Sequence, residues 1–214
     1  QIQAAQFGGA GSAHFQPQGI GAIRRSTEHL SDLIEGLLEI SKIEAGRLEL
    51  YRNQVCVPEL IDELVTMFQL QAAEKGIGFE FRSKSQMPTW VTTDEKRLRQ
   101  ILINLLSNAI KFTREGLVTL TFRYRNQVAE FVIADTGVGI AAADIPKVLE
   151  PFGQVDDVVT RNYKGSGLGL HLAKSFTEMH GGVLEIKSAL GEGTTVILTF
   201  PKERTVPIRQ KKRA

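Results

Sequence analysis

Residues 93–113 combine an apolar helix pattern with a line of polar side chains. At about 100° per residue, four polar residues fall in one narrow sector: Gln100, Asn104, Asn108 and Lys111. So apolar a helix should be largely buried, and its polar line should then face a wet cavity. An asparagine oxygen can complete the shell of a magnesium ion that also holds waters and phosphate oxygens. Because Lys111 can meet phosphate charge, the pattern predicts a nucleotide site, although amides on a helix face can also be merely solvated.

A second candidate lies at the end of a predicted strand, where Asp135 is followed by Gly137 and Gly139. Two glycines behind a carboxylate let a flat ligand lie close to the backbone. Asp135 would accept a hydrogen bond from the exocyclic amine of adenine, whereas the carbonyl of guanine would repel it. The alternative is a simple tight turn, because Asp-x-Gly is common at strand ends.

A third candidate is the segment Gly165-Ser-Gly-Leu-Gly169, which opens another predicted helix. Free backbone N–H groups at a helix N-terminus form an anion cradle, and the neighbouring cations Arg161 and Lys164 favour phosphate binding. No Gly-Lys-Ser/Thr follows, so this is not a Walker A loop. The loop that precedes it is long for a simple connection. It is interpreted as a lid whose Phe152 needs an apolar pocket on closure, with a disordered loop as the alternative.

The remaining periodicity predicts the elements that position these segments. Helices are predicted at 20–45, 57–75, 93–113, 141–149 and 168–180, with Gly46 and Gly76 as stops. Strands are predicted at 48–55, 77–82, 90–92, 117–124, 128–134, 183–188 and 194–200. Residues 1–7 could be the end of an earlier helix, and 8–19 are interpreted as a loop.

Composition limits the class of protein. With 214 residues, 42% hydrophobic and 23% charged, the chain can bury one core and an accessory element. Cys56 is the only cysteine, so no disulfide framework exists and a reducing compartment fits. No apolar run is long enough for a bilayer, and the start is unlike a signal peptide. A cytoplasmic location is therefore expected, while a membrane anchor elsewhere in a longer protein stays open.

The charge distribution argues against a nucleic-acid partner. Residues 202–214 carry six basic and one acidic residue, and the rest of the chain carries 20 basic and 23 acidic residues. A slightly acidic body does not provide the electrostatic footprint of nucleic-acid binding. The basic segment is interpreted as a solvated tail or linker.

Four segments together resemble a known family. Asn104-Leu-Leu-Ser-Asn108-Ala-Ile-Lys-Phe-Thr113, Asp135-Thr-Gly-Val-Gly139, Glu150-Pro-Phe152 and Gly165-Ser-Gly-Leu-Gly169 occur in the order of the N, first glycine, F and second glycine boxes of sensor histidine kinases. The resemblance covers about residues 50–201, the family's catalytic ATP-binding domain. Residues 30–50 resemble the second helix of its dimerisation hairpin, which separates the chain from gyrase, mismatch-repair and heat-shock ATPases.

The resemblance implies an α+β fold: a two-layer α/β sandwich of the Bergerat type, with a mixed sheet backed by helices and preceded by a long helix. It divides the chain into three parts. Residues 1–47 would be a truncated dimerisation and phosphoacceptor hairpin, with its second helix at about 20–46. Residues 48–201 would be the catalytic ATP-binding domain, and 202–214 a basic tail or linker.

The resemblance also implies roles for individual residues. Asn104 would bind magnesium and, with Lys111, serve catalysis; Asn108 and Lys111 would lie near the phosphates, and Asp135 would bind adenine. The other implied ATP contacts are Gly137, Gly139, Ile140, Phe152, Arg161, Lys164, Gly165, Ser166, Gly167, Leu168, Gly169, Leu170 and Thr195, the last in the segment Gly191-Glu-Gly-Thr-Thr195.

The implied reaction transfers the γ-phosphoryl of ATP to a histidine, for relay to an aspartate of a response regulator, in a protein that dimerises through helix 20–46. One feature departs from the family, because no histidine here matches the acceptor motif: His14, His29, His171 and His180 all lie in other contexts. The acceptor is therefore expected upstream of this chain, which alone is not expected to phosphorylate itself.

Two other functions remain open from the sequence. A nucleotide-binding interaction module would lack an acceptor histidine altogether. A hydrolytic clamp ATPase would carry a glutamate one turn before the magnesium asparagine, where this chain has Gln100. An amide cannot take a proton, so the sequence predicts ATP binding with very slow hydrolysis.

Overall fold

The computed structural model describes residues 17–155 and 165–201. For residues 17–25, 28, 29 and 32 it describes the backbone alone. The predictions for 1–16, for Arg161 and Lys164 in the long loop, and for the tail at 202–214 lie outside the described residues.

The described residues form helices and strands in the order that the periodicity predicts. The helices are α1 (Pro17–Glu44), α2 (Val57–Lys75), α3 (Glu95–Phe112), α4 (Ile145–Val148) and α5 (Gly169–Met179), with a 3-10 turn at Ala142–Asp144. The strands are β1 (Asn53–Cys56), β2 (Gly78–Ser83), β3 (Trp90–Thr93), β4 (Leu117–Arg125), β5 (Val128–Asp135), β6 (Val183–Ala189) and β7 (Gly193–Phe200).

The main sheet has five strands in the order β2-β4-β5-β7-β6. Strands β2 and β4 are parallel, whereas the other neighbours are antiparallel, so the sheet is mixed. Strands β1 and β3 form a separate antiparallel pair. Strands β2 and β4 are parallel neighbours, and the connection between them includes α3. This connection places α3 across one face of the sheet.

One face of the sheet packs against helices, and no helix of the described residues covers the other. Along β4, Leu120 and Phe122 point into the core, whereas Arg123 pairs with Glu130 on the opposite face. Helices α2, α3 and α5 cover the buried face with apolar side chains that include Leu64, Leu102, Leu106 and Phe176. The architecture is therefore the expected two-layer sandwich with a mixed sheet backed by helices, preceded by a long helix.

Helix α3 is defined at its start by a side-chain cap. The Asp94 carboxylate accepts a hydrogen bond from the Arg97 N–H at 3.0 Å, which is the usual device for satisfying a free donor in the first turn. Thr93 pairs with Asn53 in the small sheet. The helix therefore begins at Glu95, two residues later than the periodicity predicts.

Two predicted elements were wrong in extent. The strand predicted at 48–55 is only β1, because only Asn53–Cys56 pairs with β3, while the Tyr51 N–H donates to Asp94 instead. The helix predicted at 141–149 is split into the 3-10 turn and the single-turn α4. Pro146 lies in the first turn of α4. A proline inside a continuous helix over 141–149 would clash with the carbonyl four residues earlier, so a new helix begins beside it.

Helix α1 contacts the sandwich through one side only. Ile40 is buried in the core, and a Cβ added at Gly36 would lie 2.8 Å from Leu168 Cδ1. The other side carries apolar residues that are about half exposed: Leu30, Ile34, Leu37 and Leu38. Across the described residues, no helix is both long enough and apolar enough to span a membrane.

His180 is the C-cap of α5, and it is also buried in the core at 1% exposure. Its Nδ1 lies 2.7 Å from the Phe176 carbonyl oxygen. A carbonyl can only accept, so Nδ1 carries the proton, and Nε2 is left without a partner among the described residues. Burial lowers the pKa of His180.

We expect the buried His180 to make the fold sensitive to acid. Below the ordinary histidine pKa the unfolded chain binds a proton that the folded chain excludes, so the free energy of unfolding falls as pH falls. One residue contributes a slope of at most about 1.4 kcal/mol per pH unit. Urea unfolding between about pH 7.5 and about pH 5 should give a clear slope for the wild type and a smaller one for His180→Asn. Equal slopes would contradict the assignment.

Candidate functional site

The polar line of α3 meets the second glycine-rich segment. The Asn104 Nδ2 donates to the Gly169 carbonyl at 3.1 Å, and a Cβ added at Gly169 would lie 3.7 Å from Asn104 Oδ1. The amide is therefore oriented by the first residue of α5. Asn108 follows one turn later, about 40° further round the helix, so it lies on nearly the same side of α3 as Asn104, and it is partly exposed.

Lys111 approaches the other end of the same glycine segment. A Cβ added at Gly165 would lie 2.5 Å from Lys111 Nζ, and the ammonium also lies 4.8 Å from the ring centroid of Phe112. Burial lowers the pKa of Lys111. An anion bound beside Gly165 would offset that desolvation and favour the charged form.

Gln100 does not share this environment, so its prediction as part of a cavity-facing line was wrong. Its Nε2 donates to Glu39 at 2.8 Å, and its Oε1 accepts from Arg97 at 2.8 Å. Arg97 also forms a salt bridge with Glu39. Because a carboxylate of α1 holds both side chains, Gln100 is part of the contact between α1 and α3.

Asp135 ends β5 with its carboxylate held by the backbone. Its Oδ1 accepts from the Gly137 N–H at 2.9 Å and from the Thr194 N–H at 3.2 Å. Burial raises the pKa of Asp135, and these two hydrogen bonds oppose that effect. Among the described residues Oδ2 has no hydrogen-bond partner, so one oxygen is available to a ligand donor.

Two glycines are required by close approach and backbone conformation. Gly139 has φ +70°, and a Cβ there would lie 1.9 Å from the Ala189 carbonyl oxygen. Gly167 has φ +72°, and a Cβ there would lie 2.8 Å from the Phe152 carbonyl carbon. Side chains at either position would be strained as well as crowded, so these loops can hold their present paths only with glycine.

The segment Glu150-Pro-Phe152 forms a turn against the glycine segment. The Phe152 side chain is 52% exposed, and its backbone has φ +60°. The Gln154 Nε2 donates to the Gly165 carbonyl at 2.9 Å. The turn and the glycine segment are thus joined by backbone packing at Gly167 and by one amide hydrogen bond, while the Phe152 ring is not enclosed.

The other predicted contacts differ in what they offer a ligand. Leu168 is 1% exposed and packs beneath Gly36, so only its backbone could reach a nucleotide. The Ser166 hydroxyl accepts from the Leu168 N–H, and Leu170 packs against the core. The Ile140 N–H donates to the Ser188 hydroxyl at 2.7 Å.

Three nearby residues were missed by the sequence reasoning. Thr194, rather than Thr195, contacts Asp135, because Asp135 pairs with Thr194 while Thr195 pairs with Ala134. Ser188 links Ile140 to the Gly193 carbonyl. Gln154 binds the glycine segment. The position of Thr194 directly after Gly193 is the one local signal that could have identified it.

The site offers few metal ligands. Within residues 17–155 and 165–201 no group of three His, Cys, Asp or Glu residues could hold a metal ion. His171 is also engaged, with Nδ1 at 3.0 Å from the Leu149 carbonyl. The site does assemble an oriented amide (Asn104), a partly buried cation (Lys111) and the glycine-rich start of α5. The Asp135 carboxylate lies near the C-terminal end of α3.

Comparisons with known proteins identify the family and the fold. The family profile of histidine kinase-, DNA gyrase B- and HSP90-like ATPases matches residues 93–204. An uncharacterized sensor-like histidine kinase of Rhizobium meliloti (strain 1021) is 40% identical over 189 residues, covering 88% of this chain and 36% of that protein. The chain thus spans about a third of that relative.

Solved structures give the same fold. Full-length ShkA in complex with AMPPNP has a TM-score of 0.77 and 32% identity, covering 90% of this chain and 40% of that one. The nucleotide-free catalytic domain of the histidine kinase ThkA has a TM-score of 0.61 and 26% identity, covering 71% of this chain and 98% of that one. This chain belongs to the family of histidine kinase-, DNA gyrase B- and HSP90-like ATPases.

Proposed function

We propose that this chain is the ATP-binding catalytic region of a two-component sensor histidine kinase. It binds ATP and transfers the γ-phosphoryl to a histidine, which passes it to an aspartate of a response regulator. Residues 48–201 are the catalytic domain, and α1 belongs to a dimerisation hairpin. The observation that carries the proposal is the meeting of Asn104 and Lys111 with the two ends of the segment Gly165–Gly169.

The proposed roles follow from what each group can donate or accept. Asp135 accepts the exocyclic amine of adenine through Oδ2, while its Oδ1 stays on the backbone. Gly137, Gly139 and Ile140 shape the base pocket. The Lys111 ammonium neutralises phosphate charge. Asn108 and the backbone amides of 165–170 position the phosphates for in-line transfer. Arg161 and Lys164, which lie outside the described residues, are proposed as further cations for the phosphates, and Phe152 is proposed as an ATP contact.

A magnesium ion fits the same arrangement. The Asn104 Nδ2 is used by the Gly169 carbonyl, and its carbonyl-type oxygen is a hard ligand. Magnesium keeps several waters and is usually held by one or two protein oxygens together with substrate phosphates. A site with one amide oxygen and no carboxylate cluster among the described residues therefore suits it. When bound, the ion would supply charge neutralisation at the phosphates.

Slow hydrolysis is part of the proposal. A clamp-type ATPase needs a base to activate water, but the residue one turn before Asn104 is Gln100, whose amide is held by Glu39 and Arg97. An amide does not take a proton from water, and the neighbouring carboxylate, Glu39, is itself engaged by Gln100 and Arg97. This observation disfavours the hydrolytic alternative.

The partners are proposed on similar grounds. The exposed residues Leu30, Ile34, Leu37 and Leu38 line one side of α1 and form an apolar stripe suited to a second helix. We assign that stripe to homodimerisation in the full-length protein. The acceptor histidine would come from outside these 214 residues, because the four histidines here lie in other contexts.

Autophosphorylation of the whole protein that carries this chain tests the proposed function. With ATP labelled at the γ-phosphorus, the product should be an acid-labile, alkali-stable phosphoramidate on the protein, with little free phosphate. Bound nucleotide without any phosphoprotein would instead identify an interaction module. Rapid release of free phosphate would identify a hydrolytic ATPase.

A further inference from the structure

The last turn of α3 has an unusually complete set of backbone partners. The final four carbonyls of any α-helix lack partners within the helix. Here the Ala109 carbonyl accepts from the Thr113 N–H at 3.1 Å and from the Thr113 hydroxyl at 2.7 Å. The Phe112 carbonyl accepts from the Val138 N–H at 3.3 Å. The two carbonyls between them need donors from elsewhere.

Lys75 supplies both donors. Its Nζ lies 2.5 Å from the Ile110 carbonyl oxygen and 2.7 Å from the Lys111 carbonyl oxygen. Lys75 is the last residue of α2, which ends at Gly76, so one ammonium joins the C-terminal ends of two helices. A cation there also offsets the partial negative charge at the end of α3.

This contact lies directly behind the candidate phosphate site. Lys111, whose carbonyl Lys75 holds, extends its own ammonium toward Gly165. The carbonyl that Lys75 holds and the ammonium that faces Gly165 belong to the same residue. A shift of this turn would therefore move the Lys111 ammonium away from the glycine segment.

We propose that Lys75 is a positioning residue for nucleotide binding. It fixes the last turn of α3 and thereby places the Lys111 ammonium against the phosphates, without touching the nucleotide itself. The inference rests on the proposed function, because it takes Lys111 as the phosphate-binding cation. It assigns Lys75 a role that acts through Lys111 and not through the stability of the domain.

A double-mutant cycle measures this dependence. Calorimetry of Mg-ATP binding would compare the wild-type chain with Lys75→Met, Lys111→Met and the double variant. We expect Lys75→Met to weaken binding about fivefold to tenfold and Lys75→Arg to restore most of it. The double variant should bind no more weakly than Lys111→Met alone. Lys84→Met, an exposed lysine outside the site, is the matched control and should bind as the wild type does.

Each other outcome has a defined meaning. Three results would overturn the inference while leaving the proposed ATP-binding function standing. The losses of affinity in Lys75→Met and Lys111→Met could add in the double variant. Lys75→Met could bind as tightly as the wild type, or Lys111→Met could have no effect. A wild-type chain that binds no ATP would overturn the proposed function and this inference with it. Thermal unfolding of every variant checks the fold; if Lys75→Met does not fold, Lys75→Gln takes its place in the cycle and is judged by the same criteria.

Discussion

Asp135→Asn should weaken ATP binding by about 100-fold or more. The substitution keeps an oxygen that can accept from Gly137 and Thr194. It replaces the free Oδ2 with an amide that donates, and this amide would face the exocyclic amine of adenine. Two donors then oppose each other at the base, and neither finds an acceptor. Calorimetric titration with Mg-ATP measures the effect.

The fold should survive this change. Burial raises the pKa of Asp135, which means that the site disfavours the charge, so a neutral isostere costs little stability. Urea unfolding should therefore be close to that of the wild type. Asp62→Asn, on the exposed side of α2, is the control and should bind normally. An Asp135→Asn variant with wild-type affinity would remove Asp135 from the base pocket.

Asn104→Ala should lower phosphoryl transfer in the whole protein by about 1,000-fold. The variant loses the amide oxygen proposed for magnesium and the hydrogen bond from Nδ2 to the Gly169 carbonyl. ATP affinity measured without magnesium should change far less, because Lys111 and Asp135 remain. Labelled phosphohistidine formation and calorimetry with and without magnesium separate these two effects.

A matched control is available at the other end of α3. The Asn53 amide oxygen accepts from the Glu95 N–H at 3.3 Å, so Asn53→Ala removes an amide of the same size from the helix start. It should leave phosphoryl transfer near the wild-type rate. If Asn104→Ala keeps its magnesium-dependent gain in affinity, the assignment of Asn104 to the metal is wrong.

The sequence predicts well those features that depend on neighbours along the chain. Gly137 and Gly139 follow Asp135 directly, and Asn104 and Lys111 share one helix, so their grouping follows from spacing alone. The helix stops at Gly46 and Gly76 are equally local, because a residue with positive φ commonly ends a helix.

Features set by distant parts of the chain were not predictable in this way. Gln100 turns from the site because Glu39, on another helix, holds it together with Arg97. The Thr194 N–H reaches Asp135 because the strand register pairs Asp135 with Thr194 and Ala134 with Thr195. The extent of β1 likewise depends on the length of its partner β3.

Binding of nucleotides to the wild-type chain tests the central claim most directly. We would titrate ATP and GTP by calorimetry, each with and without magnesium. The proposed site predicts magnesium-dependent ATP binding and no measurable GTP binding, because the Asp135 carboxylate would accept a hydrogen bond from adenine and would repel the guanine carbonyl. Equal binding of both nucleotides, or of neither, would contradict an adenine pocket at Asp135.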